Sequence, residues 1–171
     1  MKKYADMFTR YLILILVGLS NLAIFYLIFT PLTIYPVYQI LKIFFDVSLI
    51  QNFIFSETFS IQIIEACVAG SAYYFLLILN LSTPNIKIKK RINLLLTSFL
   101  ILLLINILRI VFITFLLASN SAFFEITHKI FWYLGSTIFV VAIWFAQVNL
   151  YNIKTIPFYS DIKNIIKEIK W

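Results

Sequence analysis

Eleven of the fourteen lysines and arginines in this chain fall into three groups, and long runs of hydrocarbon side chains separate the groups. Lys2, Lys3 and Arg10 form the first, Lys87, Lys89, Lys90 and Arg91 the second, and Lys154, Lys163, Lys167 and Lys170 the third. Lys42, Arg109 and Lys129 stand elsewhere. Hydrophobic residues fill 63% of the 171 positions and charged ones 12%, against roughly 45–50% and 25% in soluble domains. A chain of this size cannot hide so much apolar surface from water, so lipid has to serve as its solvent. The grouped charges then read as the positive-inside pattern, in which basic loops stay cytoplasmic. That reading also covers the net charge of +7. A nucleic-acid reader needs one basic face uninterrupted by lipid spans, so no nucleic-acid partner is expected. One cysteine excludes an intrachain disulfide, a CxxC redox pair and a thiolate-built zinc or iron–sulfur site. No cofactor and no metal are expected.

The fold class predicted is an all-α integral membrane protein, a single transmembrane domain over 1–171 built as a bundle of about four transmembrane helices. Spans are expected at about 11–29, 65–81, 92–117 and 128–150, followed by a basic cytoplasmic tail at 151–171. Residues 11–29 carry no charge, and nineteen residues at helical rise cover roughly 28 Å, close to the hydrocarbon thickness. Lys2 and Lys3 before an apolar run also suit a secretory signal. The run is longer than a usual signal core, however, and Phe29-Thr30-Pro31 offers no small-residue cleavage site. Over 31–64, Pro31 and Pro36 bracket a break, and Lys42, Asp46 and Glu57 interrupt the apolar run. An interfacial or re-entrant segment is expected there, with 37–50 as an amphipathic helix and 53–64 either extended or leading into the next span. Two additional short spans would leave both ends of the chain on the same side.

Ser82-Thr83-Pro84-Asn85 is expected to close the second span and Ala118-Ser119-Asn120-Ser121 the third. Trp132, Tyr133, Trp144 and Tyr151 lie near the ends of the last span, where aromatic belts form. The tail from 161 to 171 repeats Ile and Lys at helical spacing, which suits an anionic inner leaflet. Localisation follows: multi-pass in the cell membrane, with both termini cytoplasmic. Asp46, Glu57, Glu65 and Glu125 then all lie on the outer side.

Ionisable groups within spans are costly and invite a functional question. Arg109 sits seventeen residues past Ile92, about 26 Å along that helix, near the outer boundary. Cys67 begins the second span from that side, and His128 begins the last. Three helices thus bring a thiol, a guanidinium and an imidazole to one membrane level, and Cys67 and His128 are unique in the chain. Nucleophilic acyl transfer uses such a set. A thiolate is the active form of cysteine, favoured by a helix N-terminus or a nearby cation. His128 is placed to take the thiol proton and return one to the leaving amine. Arg109 is placed to hold an oxyanion or substrate carbonyls. Asn106, three residues before Arg109, shares its helical face. Glu125, three before His128, is a candidate to hold the imidazole or to pair with Arg109.

Each residue also has a structural reading. A lone membrane cysteine commonly serves as a small packed side chain, and an arginine near a span end commonly snorkels or pairs. His128 beside Lys129 suits a solvated helix start. Glu65 and Glu125 suit the positive end of a helix dipole. Asn106 suits interhelical glue, and Gly70 with Ser71 and Ala72 suits close helix packing.

The order Glu65-Ala66-Cys67-Val68-Ala69-Gly70-Ser71, then Asn106-Ile107-Leu108-Arg109-Ile110, then His128, resembles the exosortase/archaeosortase family, and in length the compact archaeal members. Asn-x-x-Arg-Ile within an apolar helix is the most specific part, and the resemblance covers about residues 60 to 150. Val68 stands where the family often has a hydroxyl residue, and Gly70 lies three positions after Cys67. The resemblance implies a membrane cysteine protease/transpeptidase with its active site at the outer face. Its catalytic residues would be Cys67, Arg109 and His128, and Asn106 and Gly70 would bind or orient substrate. It implies as partners surface proteins ending in a short motif, a transmembrane helix and a basic tail, and an acceptor lipid or other acceptor for the new carboxyl end. Other membrane enzymes fit less well. A rhomboid needs Gly-x-Ser-x-Gly, a CAAX-type metalloprotease needs paired glutamates and at least two histidines, and a quinone-coupled thiol oxidase needs cysteine pairs. The non-enzymatic alternative is a small helical scaffold or transporter subunit.

Overall fold

The computed structural model of the protein describes residues 2–153, 155, 157–159 and 161. The chain is mostly helical. In order it forms α1 (Lys2–Leu19), α2 (Ala23–Phe44), β1 (Val47–Ile50), β2 (Phe53–Ser56), β3 (Ser60–Gln62), α3 (Glu65–Val68) and α4 (Gly70–Leu81). There follow α5 (Ile88–Ala118), α6 (Phe124–Ile130), a π-helical turn (Phe131–Gly135) and α7 (Ser136–Leu150). Two helices, α2 and α5, are long and apolar enough to cross a membrane. Large apolar side chains stand exposed along the helices, among them Leu19, Leu27, Leu108 and Leu150. In water such a surface would drive association; in a bilayer it meets lipid.

Aromatic packing joins the three central helices. Phe29 of α2 stacks on Tyr73 of α4 with ring centroids 3.7 Å apart, and Phe99 of α5 meets both edge-on at 5.8 and 5.5 Å. Stacked and edge-to-face pairs of this kind add to the burial they accompany. The antiparallel pair α4 and α5 gives the bundle two distinct ends. At one, Arg10 of α1 reaches Leu81 at the end of α4. At the other, Phe44 of α2 meets Phe115 of α5, and the β-sheet lies beside them.

That sheet is antiparallel in the order β1-β2-β3, with Ile54 opposite Leu49 on one side and Ile61 on the other. Gln51, in the left-handed region at φ 58°, makes the turn from β1 to β2. Val47, Ile54, Phe59 and Ile63 are buried, while Ser48, Ser60 and Gln62 are exposed. Asn52 ties the end of β3 back to the turn. Its carbonyl accepts from the Ile63 amide at 2.9 Å, and its side-chain amide donates to the Ile63 carbonyl at 3.1 Å.

The structure corrects the sequence reading in several places. The uninterrupted helix expected over 11–29 is two helices, because Asn21 and Leu22 adopt φ 51° and 61°. Ser20 turns its hydroxyl onto the Val17 carbonyl at 2.7 Å, a local bond that competes with the helical ladder. Pro31 and Pro36 do not bracket a break; both lie inside α2, and membrane helices tolerate proline where neighbouring groups meet the freed carbonyls. The interfacial or re-entrant segment at 31–64 is therefore half helix and half sheet, so the fold is not purely α. The 37–50 stretch splits between α2 and β1, and 53–64 is extended. The basic run is no loop, since Lys89, Lys90 and Arg91 lie in the first turn of α5. Of the tail expected as a helix over 161–171, all but Asp161 lies outside the described residues.

Candidate functional site

The site grows from a broken helix. Ala69 sits between α3 and α4 at φ 62°, ψ 42°, a left-handed conformation that costs a non-glycine residue about 1–2 kcal/mol. Its neighbour Gly70 is needed for space, because an added Cβ would fall 2.7 Å from the ring of Tyr26. The break deprives two carbonyls of their helical partners. The Ala72 amide, for instance, turns to the Ala69 carbonyl at 2.9 Å and leaves that of Val68. Helix α5 supplies the missing donors. Asn106 Nδ2 donates to the Cys67 carbonyl at 2.7 Å and reaches the Val68 carbonyl at 3.4 Å. Arg109 Nη2 donates to the same Cys67 carbonyl at 3.3 Å. The three-residue spacing puts both side chains on one face of α5, so a single carbonyl beside the thiol takes both.

One side chain in this cluster keeps a donor in reserve. Arg109 Nε is buried and has no hydrogen-bond partner, and among the described residues no carboxylate forms an ion pair with this guanidinium. A buried polar group without a partner is uncommon and calls for an explanation. Beside it lies a cavity of about 320 Å³, lined by Cys67, Arg109 and His128. Ile110, Ile113 and Phe131 give it apolar walls, and residues 60–64 form one rim. A second cavity of about 190 Å³ involves Tyr26, Glu65, Gly70, Ser71 and Ser136. Arg109 and Trp132 line both. Cys67 is a free thiol, partly exposed.

His128 reaches the cavity from α6. Its ring stacks on Phe124 at 5.7 Å and meets the edge of Trp132 at 6.0 Å, the i,i+4 neighbours on either side. No hydrogen bond among the described residues joins it to Cys67 or Arg109. Trp132 stands in the π-helical turn, a distortion common at functional sites.

The structure thus brings Cys67, Arg109 and His128 to one cavity, with Asn106 behind them and Gly70 packed on Tyr26. It does not bring Glu125. That carboxylate is exposed on α6 and pairs with Lys129, one turn on, at 3.4 Å, so it neither holds His128 nor pairs with Arg109. Trp132 and the rim at 60–64 were not among the sequence candidates. The four-residue step from His128 to Trp132 was the available signal for the first. No group of three metal-ligating side chains occurs among the described residues. A thiol, an imidazole and a guanidinium around one partly apolar space are the groups that acyl substitution at a carbonyl uses. Compared with protein-family models, curated proteins and solved structures, the chain matches none.

Proposed function

We propose that this protein is a membrane-embedded cysteine protease and transpeptidase of the exosortase/archaeosortase type. It would cleave the C-terminal sorting signals of surface proteins and pass the new carboxyl end to a lipid or other acceptor. The observation that carries the reading is the shared cavity of Cys67, Arg109 and His128. Four passes with both termini cytoplasmic follow from the basic groups, and they set this cavity at the outer face, where a substrate's extracellular segment meets its membrane anchor.

In this reading His128 takes the thiol proton, and the Cys67 sulfur attacks the scissile carbonyl carbon. The oxyanion that forms is held by the Arg109 guanidinium. Collapse breaks the C–N bond, the leaving amine takes the proton from His128, and a thioester remains on Cys67. An acceptor hydroxyl or amine then attacks the thioester carbonyl. The C–S bond breaks, and the acceptor's proton returns to the thiol by way of His128. Apolar walls restrict water and favour the acceptor over hydrolysis.

The test is mass spectrometry of the chain incubated with a tagged surface protein ending in motif, apolar helix and basic tail. A hydroxylamine-labile adduct on Cys67 is expected, with Cys67→Ser folded and reduced in processing by about a thousandfold or more. A second reading, a non-enzymatic helical scaffold or transporter subunit, draws support from the bonds of Asn106 and Arg109 to backbone carbonyls, which is how polar side chains hold membrane helices together. Binding of that substrate with neither processing nor a Cys67 adduct would favour it, and processing by Cys67→Ala at the normal rate would exclude Cys67 as the nucleophile.

A further inference from the structure

Strand β3 is the edge of its sheet and leads, through Ile63 and Ile64, directly into the helix that carries Cys67. Its hydrogen-bond parity can be read from its ends. The Ser56 amide donates to the Phe59 carbonyl at 2.8 Å, and the Ile63 amide donates to the Asn52 carbonyl at 2.9 Å. In an antiparallel ladder such pairs alternate with pairs whose backbone groups point away. Phe59, Ile61 and Ile63 therefore bond inward to β2, while the N–H and C=O groups of Ser60 and Gln62 point out along the free edge. A strand seen face-on would line a cavity with every second residue, but Ser60, Ile61, Gln62, Ile63 and Ile64 all line the Cys67 cavity in succession. The cavity thus meets the edge of β3, where the open backbone groups are.

From this we infer that the protein receives its polypeptide substrate as an added strand, paired with the free edge of β3, so that the extended peptide is led to the Cys67 thiol. The occupant is an extended polypeptide because only a backbone offers donors and acceptors at the spacing that Ser60 and Gln62 present. Strand addition also leaves alternate side chains of the guest facing the apolar walls at Ile110 and Ile113. Arg109 lines the same cavity as residues 60–64, so a guest led along β3 arrives beside its guanidinium. The inference rests on the protease reading for its substrate class, and binding and chemistry are read separately below.

The full chain in lipid nanodiscs is exposed to an equimolar library of acetylated decapeptide amides, each with a central benzoylphenylalanine, and the cross-links are mapped by mass spectrometry. Cross-links should concentrate on 60–64. They should fall at least about tenfold, the loss of one or two net hydrogen bonds, when consecutive peptide nitrogens along the decapeptide are methylated, which leaves the guest neither strand edge with free N–H groups. Gln62→Pro, which removes one outward N–H, should show the same loss, and Gln62→Val, which keeps it, should not. Methylation of the peptides leaves the protein unaltered, so a folding defect in Gln62→Pro cannot obscure the result. Equal cross-linking by plain and methylated libraries, or none at 60–64, overturns strand addition. Strand cross-links without any Cys67 thioester on a sorting-signal substrate would retain the docking and remove the chemistry; a thioester without the methylation effect would do the reverse.

Discussion

Arginines meet backbone carbonyls at both ends of the interrupted helical run, two at one end and one at the other, and the two ends are completed differently. At the Leu81 end, Arg10 donates to the Leu81 carbonyl at 2.7 Å and pairs with Asp161 at 3.2 Å and with Asp6 at 3.1 Å. Arg91 donates there to the carbonyls of Asn80 and Thr83. Cations at a helix C-terminus meet carbonyls that have no further amide to bond, and carboxylates balance part of their charge. At the Cys67 end, Arg109 also donates to a helix carbonyl, but no carboxylate pairs with it among the described residues and its Nε is left over. At the Leu81 end Arg10 Nε likewise lacks a hydrogen-bond partner, but the Asp6 carboxylate lies 3.1 Å from it, so that end is balanced by carboxylates. At the Cys67 end the guanidinium lines a cavity shared with the thiol, and among the described residues no carboxylate balances it.

Substitutions can break or sharpen this contrast. The largest effect is expected from Arg109→Lys, which should lower processing about a hundredfold, because an ammonium cannot both hold the Cys67 carbonyl and present a second N–H in the guanidinium plane. Single-turnover assays should show the loss in the chemical step; near-normal turnover would reduce Arg109 to a generic charge. Arg91→Met at the Leu81 end should instead act on stability, by about 2 kcal/mol, since it takes the Thr83 carbonyl's donor and leaves the Asn80 carbonyl to the Thr83 amide at 3.4 Å. Thermal unfolding in detergent measures this, and an equal loss from Arg109→Lys would erase the distinction between the two ends. Gly70→Ala should cost about 1–2 kcal/mol through its clash with Tyr26, and Tyr26→Leu should recover part of that in a double-mutant cycle. Glu125→Gln should change processing by less than about twofold, because an exposed i,i+4 ion pair contributes little. A large loss in that variant would put the carboxylate back beside His128.

The parts that were legible in the sequence are those that composition and uniqueness determine. Helices long and apolar enough to cross a membrane followed from the apolar runs between basic groups, and α2 and α5 are two such helices. The meeting of Cys67, Arg109 and His128 at one cavity followed from the distance of Arg109 along its apolar run and from Cys67 and His128 each standing at the start of theirs. What stayed hidden depended on groups far apart in sequence. Pro31 and Pro36 looked like punctuation because the local rule holds in water, while α2 runs through both. Strands of three or four residues among Phe, Ile, Ser and Gln carry too few periods to separate alternation from a helical stripe. Glu125 lies three residues from His128 and equally suits a partner one turn later, and Lys129 takes it. The break at Ala69 had no local signal: the nearby glycine is the tightly packed residue and the alanine is the one that turns.

Helix α5 has 31 residues, about 46 Å at helical rise against a hydrocarbon layer of roughly 30 Å. In a bilayer it has to tilt or protrude, and by how much depends on the thickness of the lipid around it. Asn106 and Arg109 ride on that helix and grip the Cys67 carbonyl, whereas His128 hangs from α6, across the turn at 119–123. If α5 crosses a bilayer, the Cys67 thiol, its backbone gripped by the α5 side chains, and the imidazole on α6 would then answer to lipid thickness through different elements, and the bilayer would act as a mechanical setting on the distance between them.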